Sequence, residues 1–153
     1  MTIHQKALNI TQFLPHRDPM LLVDYITEIT DNFVITRYVI PVGSIFLKNN
    51  IFQESGVIEN MAQTCSAIVG QTYFDHSDTQ PEPTTKVLGF ISGIKKVEIN
   101  TLPEVEQSLI TKAELVSRFE GDGYNLCTMN VTTFCNEKLI AKANINLFLQ
   151  KVQ

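Results

Sequence analysis

The chain has no tryptophan, only three histidines and three cysteines among its 153 residues, and no excess of basic charge. Each shortage excludes something. Cys65, Cys127 and Cys135 lie far apart and form no Cys-x-x-Cys pair, which argues against a zinc site on the usual spacing and against any metal requirement. Twelve Lys plus Arg against sixteen Asp plus Glu give a net charge of −4, the wrong balance for a nucleic-acid binder, which normally shows a basic face. No apolar run approaches the roughly 18 residues that span a bilayer. Met1 to Leu14 carries Lys6 and several amide side chains without an unbroken apolar stretch, so it does not read as a secretory signal. The expected location is the cytoplasm, with reduced thiols and no membrane contact. G-x-S-x-G, P-loop and Rossmann fingerprints are absent as well, so no cofactor is expected.

What is present is a chain of single-domain length, residues 1–153, with enough apolar content to bury about 70% of its unfolded surface without a staple. Its apolar period changes twice. Met20 to Ile29 alternates as a strand does, Asp31-Asn32 reads as a tight turn, and Phe33 to Ile40 is rich in β-branched and aromatic residues, which suggests a hairpin. From Gln53 to Tyr73 there is no proline, and Val57, Ile58, Met61, Cys65, Ile68 and Val69 recur at helical spacing. This predicts one largely buried helix of about twenty residues. Asp75 to Thr85 reads as a loop.

The second half is strand-rich. Val87 to Ile99 is one candidate, with Gly89 and Gly93 marking bends. Leu109, Thr111, Ala113, Leu115, Ser117 and Phe119 form one face of the next strand. Cys127, Met129, Val131, Thr133 and Cys135 form one face of the third. Leu139, Ala141, Ala143, Ile145, Leu147 and Leu149 do the same in the last. Period-two patterns of this kind mark an antiparallel sheet with one covered face. A single helix that is apolar on most sides needs a sheet that curves around it. The predicted class is α+β.

Chemistry-bearing residues are few. His4 and His76 fall in a terminus and a Pro-rich loop, where solvent exposure is the simplest reading. His16 lies in Leu14-Pro15-His16-Arg17-Asp18-Pro19-Met20, between two prolines that stiffen the segment and keep it non-helical. Such a segment can hold a functional imidazole, or a ring that merely caps the loop. Glu59 falls among Val57, Ile58 and Met61, early in the apolar helix. A carboxylate near a helix N-terminus gains from the macrodipole, typically ~0.3–1 kcal/mol. A buried one has its pKa raised, as a general acid near neutral pH requires. Gln63, four residues on, shares its face and can hydrogen-bond it. The amides near Ser55, Gly56 and Val57 are unpaired donors of a first helical turn, suited either to an oxyanion or to ordinary capping. The three cysteines read as packing residues, and Lys95-Lys96 as a solvated strand edge.

These pieces resemble a known family. Leu14-Pro15-His16-Arg17-Asp18-Pro19-Met20-Leu21-Leu22-Val23-Asp24 is similar to the L-P-H-R-x-P-x-L-L-V-D opening of FabZ-type (3R)-hydroxyacyl-acyl-carrier-protein dehydratases. Glu59-Asn60-Met61-Ala62-Gln63 is similar to their E-x-M-A-Q segment, and Leu88 to Ile94 to their L-x-G-I region. The resemblance implies the hotdog fold, a sheet curled round a central helix, usually dimeric with active sites at the subunit interface. There is one departure. The G-H-F-P-G motif that carries the family's catalytic histidine is missing, and Gly43 to Phe52 contains no histidine. Its loss, with the L-P-H-R opening and the helix glutamate retained, resembles the ApeP-like branch, linked to aryl-polyene or flexirubin-type pigments. The resemblance implies dehydration of a 3-hydroxyacyl thioester on an acyl carrier protein, with Glu59 as acid and base on the hydroxyl and His16 as the replacement base. Gly56 and Gln63 are expected at the substrate, and a homodimer or hotdog heterodimer as the assembly. A thioesterase on the same fold and a non-catalytic subunit completing a partner's site are the alternatives.

Overall fold

The strong alternation of the C-terminal half produces three long strands. They are β7 (Ser108–Gly121), β8 (Tyr124–Cys135) and β9 (Lys138–Val152) in the computed structural model, which describes residues 8–73 and 86–152. Ahead of them come β1 (Leu8–Asn9), β2 (Tyr25–Ile29), β3 (Phe33–Val39), the two-residue strands β4 (Leu47–Lys48) and β5 (Ile51–Phe52), helix α1 (Glu54–Tyr73) and β6 (Lys86–Ile99). Among the described residues, seven strands form one antiparallel sheet in the order β1-β2-β3-β7-β8-β9-β6. β4 and β5 pair separately. α1 packs on β3, β6, β7, β8 and β9, so the sheet wraps the helix as the α+β hotdog reading expects.

The covered face carries Leu109, Thr111 and Ala113 on β7, Cys127, Met129, Val131, Thr133 and Cys135 on β8, and Ala141, Ala143, Ile145, Leu147 and Leu149 on β9, all buried. Against them α1 places Val57, Met61, Cys65 and Ile68, each fully buried. A side chain of this size contributes about 1.5–3 kcal/mol when sealed from water. All three cysteines are free and buried. Burial pushes the Cys65 thiol well above its ordinary range, which makes these residues packing groups, as expected.

Three expectations need correction. The β7 face ends early, because the register shifts between Leu115 and Ser117. The extra residue turns Phe119 to solvent, where it is 58% exposed, and pairs Arg118 with buried Cys127. A similar shift between Thr133 and Phe134 buries Ile140 and exposes Leu139 on β9. A bulge reverses every side chain beyond it. Met20 to Asp24, read as strand, lies outside β2, because Met20 and Leu22 bond to helix side chains and only Asp24 reaches β3, its N–H donating to the Arg37 oxygen. Finally, the β4–β5 hairpin was not expected. Asn49 and Asn50 turn it with φ of 52° and 63°, as Asn136 and Glu137 turn β8 into β9 with φ of 50° and 64°. Two successive residues of positive φ suit the two-residue hairpin turn.

Candidate active site

The segment before β2 is held as a strap across α1. Leu14, Leu22 and Val23 are almost wholly buried and anchor it. Arg17 closes its turn by donating from Nη1 to the carbonyl oxygens of Leu14 (2.9 Å) and His16 (2.7 Å), and the Met20 N–H donates to the Arg17 oxygen. The helix grips the strap through two side chains. Gln63 Oε1 accepts from the Leu22 N–H (2.8 Å), Gln63 Nε2 donates to the Met20 oxygen (2.7 Å), and Asn60 Nδ2 donates to the Leu22 oxygen (2.7 Å). These bonds assign both amides without ambiguity, since a backbone N–H requires an acceptor and a carbonyl a donor.

The strap brings His16 to Glu59, with Nε2 3.9 Å from Glu59 Oε1. That separation is longer than a hydrogen bond and short enough for strong mutual influence. Their side chains are 31% and 30% exposed, so Glu59 stands at the rim of the core and not within it, as its apolar neighbours had suggested. The imidazole pKa lies below its ordinary value. Burial is the leading cause, the Glu59 carboxylate opposes it, and Arg17 reinforces it. The ring is therefore neutral near pH 7, the state a base requires. Its Nδ1 is buried and meets no hydrogen-bond partner among the described residues, so the loop-capping role does not describe it.

Glu59 Oε1 accepts a hydrogen bond from Gln63 Nε2 at 2.8 Å. Gln63 thus occupies Oε1, while Oε2 meets no hydrogen-bond partner among the described residues and is the carboxyl oxygen open to a ligand. Gln63 itself is 1% exposed, with both amide protons given to Met20 and Glu59 and its oxygen accepting from Leu22. It positions the carboxyl group and does not reach a ligand, contrary to its expected place at the substrate.

Gly56 also departs from expectation. Its N–H donates to the Gln53 oxygen at 3.0 Å, as does the Val57 N–H at 3.2 Å. A Cβ at Gly56 would lie 2.6 Å from the Phe52 ring and 2.9 Å from Phe46 Cβ, so this glycine exists for packing. The amides of Glu54 and Ser55, two and one residues earlier, meet no acceptor among the described residues. They are the open donors of the first turn. Asn60 carries no expected role from sequence, although a carboxamide flanked by apolar helix residues was the available signal. The residues Gly43 to Phe52 form the β4–β5 hairpin and supply no imidazole. His4 and His76 lie outside the described residues. Among the described residues no group of three or more His, Cys, Asp or Glu could hold a metal ion, and no helix is long and apolar enough to cross a membrane.

Comparison with known proteins agrees with this fold. The profile of the ApeP-like family, described as ApeP dehydratase, matches residues 8–153. The 3-hydroxyacyl-(acyl-carrier-protein) dehydratase FabZ of Acinetobacter baumannii is 31% identical over 127 residues, covering 80% of this chain and 83% of the relative. Among solved structures, the dehydratase heterocomplex ApeI:P from Xenorhabdus doucetiae matches with a TM-score of 0.74 at 18% identity, covering 97% of this chain and 93% of the other. A hypothetical thioesterase from Streptococcus pneumoniae, solved with coenzyme A, matches with a TM-score of 0.60 at 15% identity, covering 84% and 86%. At such identities these two structures speak to the shared hotdog fold alone. The strap, the glutamate-bearing helix and the surrounding sheet all fall within the matched span, and the chain belongs to the ApeP-like family of FabZ-like hotdog dehydratases.

Proposed function

We propose that this chain converts (3R)-hydroxyacyl thioesters, presented on an acyl carrier protein in the cytoplasm, to trans-2-enoyl thioesters. The observation that carries the reading is the His16–Glu59 pair, 3.9 Å apart on one chain, with Glu59 Oε1 fixed by Gln63. Neutral His16 removes the α-proton. Charge developing on the thioester oxygen meets the open amides of Glu54 and Ser55, donors of the kind that stabilise such an oxyanion. Glu59 gives its Oε2 proton to the hydroxyl, the C–O bond breaks, and water leaves. The imidazolium then returns a proton to the carboxylate beside it, which restores both groups. Membership of the ApeP-like family supports a polyene-type pathway over housekeeping fatty-acid synthesis.

An oligomer accompanies this reading. Among the described residues β6 ends the sheet and bonds only to β9, which leaves one side of a 14-residue strand unpaired there. Long open edges invite strand addition. A second hotdog chain, identical or related, added there is the assembly we propose.

The test is Glu59→Gln, assayed with a 3-hydroxyacyl carrier thioester by the near-ultraviolet absorbance of the enoyl product. Loss of dehydration in a folded variant is the expected result, and undiminished dehydration removes Glu59 from the mechanism. Release of free thiol and free acid by the wild type would make it a thioesterase. Activity only after mixing with a related hotdog chain would make it a subunit that completes a partner's site.

A further inference from the structure

Six polar side chains lie in the core between α1 and the sheet: Thr36, Asn60, Gln63, Thr64, Thr111 and Thr133, each 1% exposed or less. Apolar residues would fill this space at no desolvation cost, so the placement calls for a reason. The hydrogen bonds supply one. Thr111 Oγ1 donates to Asn60 Oδ1 at 2.7 Å. A hydroxyl has one proton, so in the 2.9 Å pair of Thr111 and Thr133 it is Thr133 that donates. Thr64 Oγ1 donates to the Asn60 carbonyl oxygen at 2.9 Å, so in its 2.7 Å pair with Thr36 the donor is Thr36.

Two hydroxyl chains, one from β8 through β7 and one from β3, therefore run in a single direction and end on Asn60. From there the Asn60 amide donates outward to the Leu22 oxygen at 2.7 Å. Its neighbour Gln63 holds the Leu22 N–H and Glu59. The sheet, the helix and the strap that bears His16 meet at this one carboxamide.

We propose that Asn60 is a positioning residue for dehydration, fixing the strap so that His16 stands at its working distance from Glu59. The proposal rests on the dehydratase reading of that pair. Asn60 touches neither reacting group. It acts on His16 through Leu22 and ties the helix to β7 through Thr111.

The test compares Asn60→Ala and the similarly branched but larger Asn60→Leu with Ile145→Val, a core change away from the network. Displacement of a base by even about 1 Å can cost up to 100-fold in rate. Both Asn60 variants are expected to lose kcat by roughly tenfold or more while KM stays close to wild type, the mark of an interaction made in the transition state. Ile145→Val is expected to lower stability and leave kcat unchanged. A second readout does not depend on turnover. The His16 Cε1–H signal, assigned by its loss in His16→Gln, is followed by NMR against pH. Glu59 and Arg17 are the charged groups acting on that ring. In the Asn60 variants its midpoint should move toward the ordinary imidazole value of about 6.5 as the strap loosens and the ring hydrates. Wild-type kcat in a folded Asn60 variant, or an unmoved His16 titration, overturns the proposal. If the wild type proves not to be a dehydratase, the NMR arm still decides whether Asn60 positions His16.

Discussion

Gln63 donates from Nε2 to Glu59 Oε1 at 2.8 Å, one helical turn away. The same nitrogen donates to the Met20 oxygen, and the Gln63 oxygen accepts from the Leu22 N–H. Replacing Gln63 with Leu strips three bonds at once and leaves the buried Leu22 N–H and the partly buried Met20 oxygen without partners. Each such group costs about 1–3 kcal/mol. Gln63→Leu should therefore lose roughly 2–5 kcal/mol of unfolding free energy in urea titration, with dehydration falling as the carboxyl group turns freely.

The depressed pKa of His16 has a definite sign in stability. The folded chain holds the imidazole neutral more firmly than the unfolded chain does, so the unfolded state binds more protons as the medium acidifies. The contribution is complete above the ordinary imidazole pKa of about 6.5 and is lost as pH falls through the lower folded value. Urea unfolding between neutral and mildly acidic pH should show this slope in the wild type and a shallower one in His16→Gln. The acid limb of kcat/KM should likewise fall below about 6.5 and reflect His16.

Two glycines offer a matched pair. Gly56 has Phe52 and Phe46 where a Cβ would go, whereas nothing lies within 4 Å of a Cβ at Gly43. Gly56→Ala should cost about 1–3 kcal/mol through overpacking. Gly43→Ala should fall within about 0.5 kcal/mol of wild type. Thermal unfolding of the two variants side by side checks both statements.

The open β6 edge predicts association. Ile94 pairs with Ile145 in register and is 38% exposed at the margin of the covered face. Wild-type protein should sediment as a dimer at micromolar concentration, and Ile94→Lys should shift it toward monomer by placing a charge at that margin. A wild-type monomer at all concentrations would refute the strand-addition assembly.

Much of this architecture can be read directly from the chain. The period-two runs of β7, β8 and β9 and the helical spacing of Val57, Met61, Cys65 and Ile68 reflect how each element meets its neighbour, and they match the folded positions. The bulge at Val116 leaves no comparable trace, which is why Phe119 was read as covered. The β4–β5 hairpin is too short to show a period at all. Met20 to Asp24 alternates like a strand, yet the partners of Met20 and Leu22 are Asn60 and Gln63, about forty residues away, and no local pattern reports them. Glu59 was legible from the helix and His16 from its prolines. Their meeting was not, because it depends on the strap's path, nor was the crowding that fixes Gly56.

Because His16 and Glu59 sit on one polypeptide, the acid–base couple proposed above would be whole within each subunit of an assembly. Two inactive versions of the protein, one altered at each position, should remain inactive when unfolded together and allowed to form hybrids. Genetic complementation between the two alleles should fail in the same way, since no hybrid brings an intact couple together on one strand of protein.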